Sequence, residues 1–422
     1  MSRRNAELGL VILAIVLTGG AYLLVEFSKA DAIPPSFFSF IAAFSAMTLS
    51  AHLVIRRFAP NADPLPLPIA MTLSGLGYVM VRRLNADLAG PQLAWIAVGL
   101  AAFCLTLVGV RDHRRIEAFR YSFMVAGLAL LLLPLAPGIG RTISGARLWV
   151  RVGGLNFQPA ELAKLMLAAF LAGYLASKRE VMTAATARIG PWMIPAPRHF
   201  GPVVLAWGIS LAVMVFERDL GSSMLFFALF IVMLYAATSR AAYVVTGLTL
   251  FAGGTMFAYQ AFAHVQGRIS AWLDPWSRID GSGFQIAQSL FALGTGGLGG
   301  EGLGRGRPDF IQRGVETDFI FSAFGEELGF VGAVAILLLF ALLVARGLHI
   351  ALRSRDPFGT LLATGLTVII GLQTFLIIGG VTRLIPLTGI TLPFVSYGGS
   401  SLLANFILIA LLLRLSEQEG RS

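Results

Sequence analysis

About twelve times along its 422 residues this chain presents an apolar run long enough to cross a ~30 Å hydrocarbon core. The runs cover 8–27, 36–55, 67–82, 92–110, 119–137, 161–177, 201–216, 219–238, 242–263, 318–346, 358–380 and 391–414. Inside a bilayer every backbone N–H and C=O must find a partner within the protein, so runs of this length are expected as helices. Charged residues make up 13% of the chain, against about 25% in a soluble domain. The reading is an all-α polytopic membrane protein without a soluble domain. Glu217, Arg218 and Asp219 are a very short break between the seventh and eighth runs, and without that break the count is eleven.

Basic residues favour cytoplasmic loops. With the N-terminus inside, Arg3, Arg4, Arg56, Arg57, Arg111, Arg114, Arg115, Arg346, Arg353 and Arg355 all fall on the cytoplasmic face. Both termini are then cytoplasmic, and segment 264–317 lies outside as one long extracytoplasmic loop. Arg82 and Arg83, in "VRRLN", run against the rule. Arg3 and Arg4 precede a run too long for a signal-peptide core, so the first span is expected to stay as an anchor. Cys104 is the one cysteine, which excludes an intramolecular disulfide and a cysteine metal cluster. The pI near 10.3 comes from arginines dispersed over loops on both faces. That pattern suits anionic membrane lipids and gives no focused patch for nucleic acid.

Four stretches place polar groups where a membrane protein would otherwise avoid them. "VETDFIFSAFGEELG" opens the tenth run with Asp318, Glu326 and Glu327. At 100° per residue, Asp318, Ser322, Gly325 and Gly329 would form one narrow stripe on a helix. Glu326 lies off that stripe, either as a supporting group behind the residues that touch substrate or as an ion-pair partner for a basic residue such as Lys164. "GARLWVRVGGLNFQPAELAKL" places Arg147, Trp149 and Arg151 before a helix in which Glu161 and Lys164 share a face. Each buried charge costs about 2.5–3.5 kcal/mol near a span centre, so the last two form an internal ion pair or face substrate. "PFVSYGGSSL" interrupts the last run with Ser396, Tyr397, Gly398, Gly399, Ser400 and Ser401, either as irregular backbone over a wet cavity or to allow close packing. The long loop carries an amphipathic "FQIAQSLFAL", expected as a short interfacial helix, and then a glycine-rich stretch from Gly294 to Gly306. That stretch lacks the Gly-Lys-Ser/Thr ending of a P-loop and is read as tight turns.

Taken together, "QPAELAK", "GFQIAQSLFALGTGG", "TDFIFSAFGEELGFVG" and "PLTGITLPFVSYGGSSLLAN", in this order, resemble the SEDS (shape, elongation, division and sporulation) family of RodA and FtsW. "GGVTRLIPLTG" is closer to the RodA branch of actinobacterial type. The family has ten spans, so two would be added at the N-terminus. The resemblance divides the chain into N-terminal helices at 1–137 and a SEDS core at 138–422 that includes loop 264–317. Two departures stand out: "ERDLG" replaces "QPDLG" while keeping Asp219, and "QRGVE" replaces the Pro-Glu before "TDFIF".

The resemblance implies a peptidoglycan glycosyltransferase that polymerises lipid II, with inversion, on the outer face of the bacterial plasma membrane. It makes Asp318 the general base. It places Arg147, Trp149, Arg151, Glu161, Lys164, Asp219, Arg268, Gln285, Gln288, Ser289, Thr317, Glu326, Ser396, Tyr397, Gly398, Gly399 and Ser400 around substrate. Arg147, Arg151, Lys164 and Arg268 are the candidates for the pyrophosphate. No cofactor is implied, and a divalent cation is left open. Implied partners are lipid II, the growing lipid-linked glycan strand and a class B penicillin-binding protein, in elongation or in division. A lipid II flippase and a non-catalytic scaffold are the competing readings. A flippase would call for repeated halves with midplane charges, which the sequence lacks.

Overall fold

The computed structural model describes residues 3–28, 33–143, 146–152, 155–183, 187–189, 192–194, 204–205, 208–209, 211–212, 217, 219–420. The expected seventh span, 201–216, falls largely outside these residues. The helices are α1 (Arg3–Phe27), α2 (Pro35–Phe58), α3 (Pro66–Leu84), α4 (Ala89–Gly109), α5 (Arg114–Ala118), α6 (Arg120–Leu132), α7 (Ala160–Thr183), α8 (Leu220–Thr238), α9 (Ala241–Ala261), α10 (Ala263–Leu273), α11 (Phe284–Gly296), α12 (Ile320–Arg353), α13 (Pro357–Val381) and α14 (Gly399–Gly420). Among the described residues nine helices are long and apolar enough to span a membrane: α1, α2, α4, α7, α8, α9, α12, α13 and α14. The third and fifth expected runs are helical too, as the 19-residue α3 and the shorter α6. This is a multi-pass membrane protein, and a count near twelve is consistent with it.

Two compact units emerge. The first comprises Met1–Arg111, Gln266–Arg346 and Gln373–Ser422; the second comprises Asp112–Val265 and Gly347–Leu372. In the first, charged groups buried at one end of α1 and α2 hold the turn that follows α2. Arg4 contacts Glu7 and the carbonyl of Ala62, and His52 Nδ1 lies 2.7 Å from Glu7. The N–H of Asn61 donates to Glu417 at 2.5 Å, and Arg346 pairs with Asp63. Arg4, Glu7, His52, Asp63 and Glu417 are buried but partnered, which is how charge survives away from water. In the second unit Leu131, Ala160, Ala163, Leu167 and Phe226 form a core among α6, α7 and α8.

Several local features depart from regular, continuous helices. An antiparallel sheet is made of β1 (Gly140–Ile143), β2 (Ala146–Val152) and β3 (Leu155–Phe157), in that order. The alternation in "RLWVRV" has the period of a strand, and outside a span nothing forces a helix. A separate antiparallel pair joins β4 (Ala187–Ile189) and β5 (Trp192–Ile194). Helix α12 begins at Ile320, so Asp318 lies in the preceding turn rather than on a helical stripe. Gly329 breaks α12, with φ 66° and ψ −169°, a conformation open mainly to glycine. The last helix begins at Gly399, not near residue 391, because Pro393 and a left-handed Phe394 (φ 64°) keep the approach non-helical.

Candidate active site

The site is built in the first unit around the turn 312–319. Gly314 C=O accepts the N–H groups of Thr317 and Phe319, both at 3.1 Å, and Phe319 is buried beneath them. Asp318 is left half-buried between these two anchors. The non-helical approach to α14 clamps the same turn from the other side. Ser396 Oγ accepts the N–H of Leu392 at 2.9 Å and donates to the C=O of Thr317 at 2.6 Å. Tyr397 N–H donates to the C=O of Glu316 at 2.8 Å. Gln92 of α4 donates to the C=O of Ser396 at 3.4 Å, and Trp95 leaves no room for a side chain at Gly399. Tyr397 has its phenol pushed above its ordinary range by burial, with the Glu316 charge adding to the effect.

The start of α12 is fixed to α11. Ser322 and Ser289 share a hydrogen bond of 2.6 Å, and Ser289 Oγ donates onward to the C=O of Val381 at 2.9 Å. Gln285, one turn earlier, donates to the C=O of Arg313, while Gln288 is half-buried on the same helix. The expected helix "FQIAQSLFAL" is therefore present, and its polar side chains serve the turn that carries Asp318.

A carboxylate and a guanidinium meet at Gly389. A Cβ added there would stand 3.7 Å from Asp318 Oδ2 and 3.7 Å from Arg268 Nη2. Gly389 has φ 73°, so a bare backbone is favoured at this point. Arg268, on α10, is oriented by donating from Nη1 to the C=O of Thr388 at 2.9 Å. Trp272 and Arg383 exchange hydrogen bonds and tie the same helix to the end of α13. A carboxylate and a fixed positive charge thus both come within van der Waals reach of Gly389.

Glu326 is held by backbone. Its carboxylate accepts the N–H of Arg307 at 2.6 Å, because the glycine-rich turn folds back over α12 and brings backbone donors within reach. Glu327, fully buried, accepts the N–H of Gly304 at 2.7 Å and faces Arg83 Nε at 3.1 Å. Arg83, Glu327, Gly389 and Gln92 are the members of this arrangement that the sequence reading missed. The misplaced charge of "VRRLN" was the one signal that could have flagged Arg83.

Of the remaining candidates, Arg147, Trp149, Arg151, Glu161, Lys164 and Asp219 lie in the second unit, and Gly398 and Ser400 in the first. Arg147, Trp149 and Arg151 alternate along β2 and so share one face of that strand. Arg147 donates to the C=O of Ala136 at 3.0 Å, and Arg151 is exposed. Lys164 Nζ lies 2.5 Å from Glu161, both buried, as the ion-pair reading expects. Asp219 caps α8, accepting from the N–H of Ser222 at 2.9 Å and from its hydroxyl at 2.5 Å. Ser400 is buried in the first turn of α14, and Gly398 precedes that helix. Among the described residues no group of three or more His, Cys, Asp or Glu side chains could hold a metal ion.

Comparison with known proteins places this chain in a family. The family described as Cell cycle protein, comprising FtsW, RodA and SpoVE, matches residues 65–421. The peptidoglycan glycosyltransferase RodA of Mycobacterium tuberculosis is 47% identical over 431 residues, covering 100% of this chain and 92% of its own. A probable peptidoglycan glycosyltransferase FtsW of Geobacter metallireducens is 36% identical over 84% of this chain and 94% of its own. Among solved structures, a chain of a peptidoglycan synthase complex that coordinates polymerization and crosslinking superposes with a TM-score of 0.68 at 27% identity, covering 86% of this chain and 99% of that one. This chain belongs to the SEDS family, nearer to its RodA members than to this FtsW.

Proposed function

We propose that the protein is a peptidoglycan glycosyltransferase that polymerises lipid II at the outer face of the bacterial plasma membrane, with Asp318 as general base. The observation that carries the reading is the approach of the Asp318 carboxylate and the Arg268 guanidinium to Gly389, each 3.7 Å from where a Cβ on that residue would stand. A hydroxyl of the acceptor sugar forms a bond to C1 of the donor as the bond from C1 to the pyrophosphate breaks on the opposite face. The hydroxyl proton passes to Asp318, and the stereochemistry at C1 inverts. A carboxylate placed this way typically contributes about 10²–10⁴ in rate. The leaving pyrophosphate needs fixed cations, and Arg268, Arg147, Arg151 and Lys164 are the candidates.

Both termini are then cytoplasmic and the segment 264–317 is extracytoplasmic. A class B penicillin-binding protein is the expected partner, since a polymerase cannot cross-link its own strands. The relatives' activity and the synthase complex support this reading. Asp318→Asn tests it. The variant keeps the size and most of the hydrogen bonding of the side chain but cannot take a proton. It should accumulate, melt close to wild type and lose lipid II polymerisation by about 10² or more. Full activity, or inactivity that tracks unfolding, would refute the assignment.

A further inference from the structure

Arg82 and Arg83 are two adjacent arginines at the end of α3 that the charge rule for loops does not explain. Neighbouring residues on a helix point about 100° apart, so the two side chains reach different parts of the first unit. Arg82 turns toward α1 and α2. It donates from Nε to Glu26 at 3.2 Å, lies 4.9 Å from the centre of the Tyr22 ring, and donates to Ser36 Oγ at 3.3 Å. Tyr22 shares a 3.1 Å hydrogen bond with the same Ser36, and Phe40 of α2 stacks on Tyr78 of α3 at 4.0 Å.

Arg83 turns toward the glycine-rich turn. It donates to the C=O of Gly306 at 2.8 Å, and its Nε stands 3.1 Å from the buried Glu327 as a charge contact rather than an aligned hydrogen bond. Glu327 and Glu326 in turn hold the N–H groups of Gly304 and Arg307. The carbonyls of the same two glutamates accept from Gly302 and Glu301, at 2.9 and 3.0 Å. The chain that leaves this turn runs directly through 308–311 into the turn that carries Asp318. The end of α1 meets the same turn, because a Cβ on Gly304 would collide with Ser28 Oγ at 2.1 Å.

Residues 1–64, which include α1 and α2, lie outside the part matched to the family. We infer that Arg83 is a positioning residue for the transferase, and that Arg82 and Arg83 together make the N-terminal helical pair a brace for the glycine-rich turn leading to Asp318. The inference rests on the reading of Asp318 as base. Its physical basis is that Arg83 neutralises a carboxylate with no access to water, and that carboxylate fixes backbone two residues from Gly306. A charge pair removed from solvent loses its geometry when one partner is deleted.

The test uses the full chain with lipid II as the probe. Steady-state polymerisation is measured alongside hydrogen exchange of peptides covering 297–311. Arg83→Gln should speed exchange at the turn by about tenfold or more, since the N–H groups of Glu301, Gly302, Gly304 and Arg307 are all held by Glu326 and Glu327. It should lower kcat by about tenfold or more with KM within about twofold, the signature of misplacement rather than lost binding. Arg83→Lys, which keeps the charge beside Glu327, should recover most of both effects. Should Arg83→Gln fail to accumulate, Glu327→Gln carries the same test, because it keeps the shape and removes the charge. Wild-type exchange and kcat in these variants, a loss carried by KM, or equal losses in the Lys and Gln variants would overturn the inference. The exchange arm is repeated in the Asp318→Asn background. If the turn opens with Arg83→Gln while Asp318→Asn alone keeps full polymerisation, the brace stands and the base assignment fails.

Discussion

Ser396→Ala tests how the site is held together, because one hydroxyl joins the approach to α14 to the turn of Asp318. Ser396 is 2% exposed. Its Oγ accepts the N–H of Leu392 and donates to the C=O of Thr317, so deleting it leaves two backbone groups without that partner. An unsatisfied buried group costs about 1–3 kcal/mol. With partial relaxation the expected loss of stability is about 2–4 kcal/mol. Thr317 immediately precedes Asp318, so the released carbonyl also loosens the base, and a misplacement near 1 Å is worth up to about 10² in rate. The control is Thr48→Val, which deletes a buried hydroxyl bonded only to the C=O of Phe44 within α2. Melting temperature and lipid II polymerisation are measured for both at a temperature where each is folded. The reasoning predicts a drop of about tenfold or more for Ser396→Ala and less than about twofold for Thr48→Val. Equal activities in the two folded variants would show that the clamp does not position Asp318.

Three further outcomes follow from the same geometry. Gly389→Ala places a methyl against both Asp318 and Arg268 at a positive φ, so it should cost about 1–2 kcal/mol in stability and reduce polymerisation well beyond that; wild-type turnover would place the reaction elsewhere. Lys164→Ala leaves Glu161 without its counter-charge and should destabilise by about 3–5 kcal/mol, whereas Lys164→Arg should retain most stability and activity; thermal melts and polymerisation that fail to separate the two variants would remove the pair from any role. The raised pKa of Tyr397 keeps its phenol neutral in the folded state, and the associated stability is present below the ordinary tyrosine pKa and lost only as pH rises through the folded value. Between about pH 6 and 9 the rate profile of Tyr397→Phe should therefore have the same shape as wild type; a displaced alkaline limb would show that the phenol titrates within that range.

The membrane helices were legible because their signal is long and redundant. An apolar run of some twenty residues has one stable solution in a bilayer, and α2, α3, α4, α8, α9 and α13 begin and end within a few residues of the expected bounds. The short elements were not, since a strand such as Ala146–Val152 depends on pairing with partners that periodicity does not name. Extrapolating one helix back to Asp318 failed for a related reason. Hydropathy is blind to a turn whose geometry is fixed by single hydrogen bonds from Ser396 and Tyr397, about eighty residues further along the chain.

Charge was the most informative signal where it looked wrong. A buried or misplaced ionisable residue is costly enough that it persists only with a partner, and sequence reveals the residue without revealing which partner. Lys164 found its partner one helical turn away, so the local spacing sufficed. Glu326 and Glu327 instead found backbone N–H groups from a glycine-rich turn, donors that no side-chain pattern displays. Arg82 and Arg83 found carboxylates on two other helices, α1 and α12. In each case the cost of the buried charge predicts that a compensating group exists. Only the fold says that in the first unit these groups converge on the stretch leading to Asp318, where a transferase needs rigid backbone more than it needs another reactive side chain.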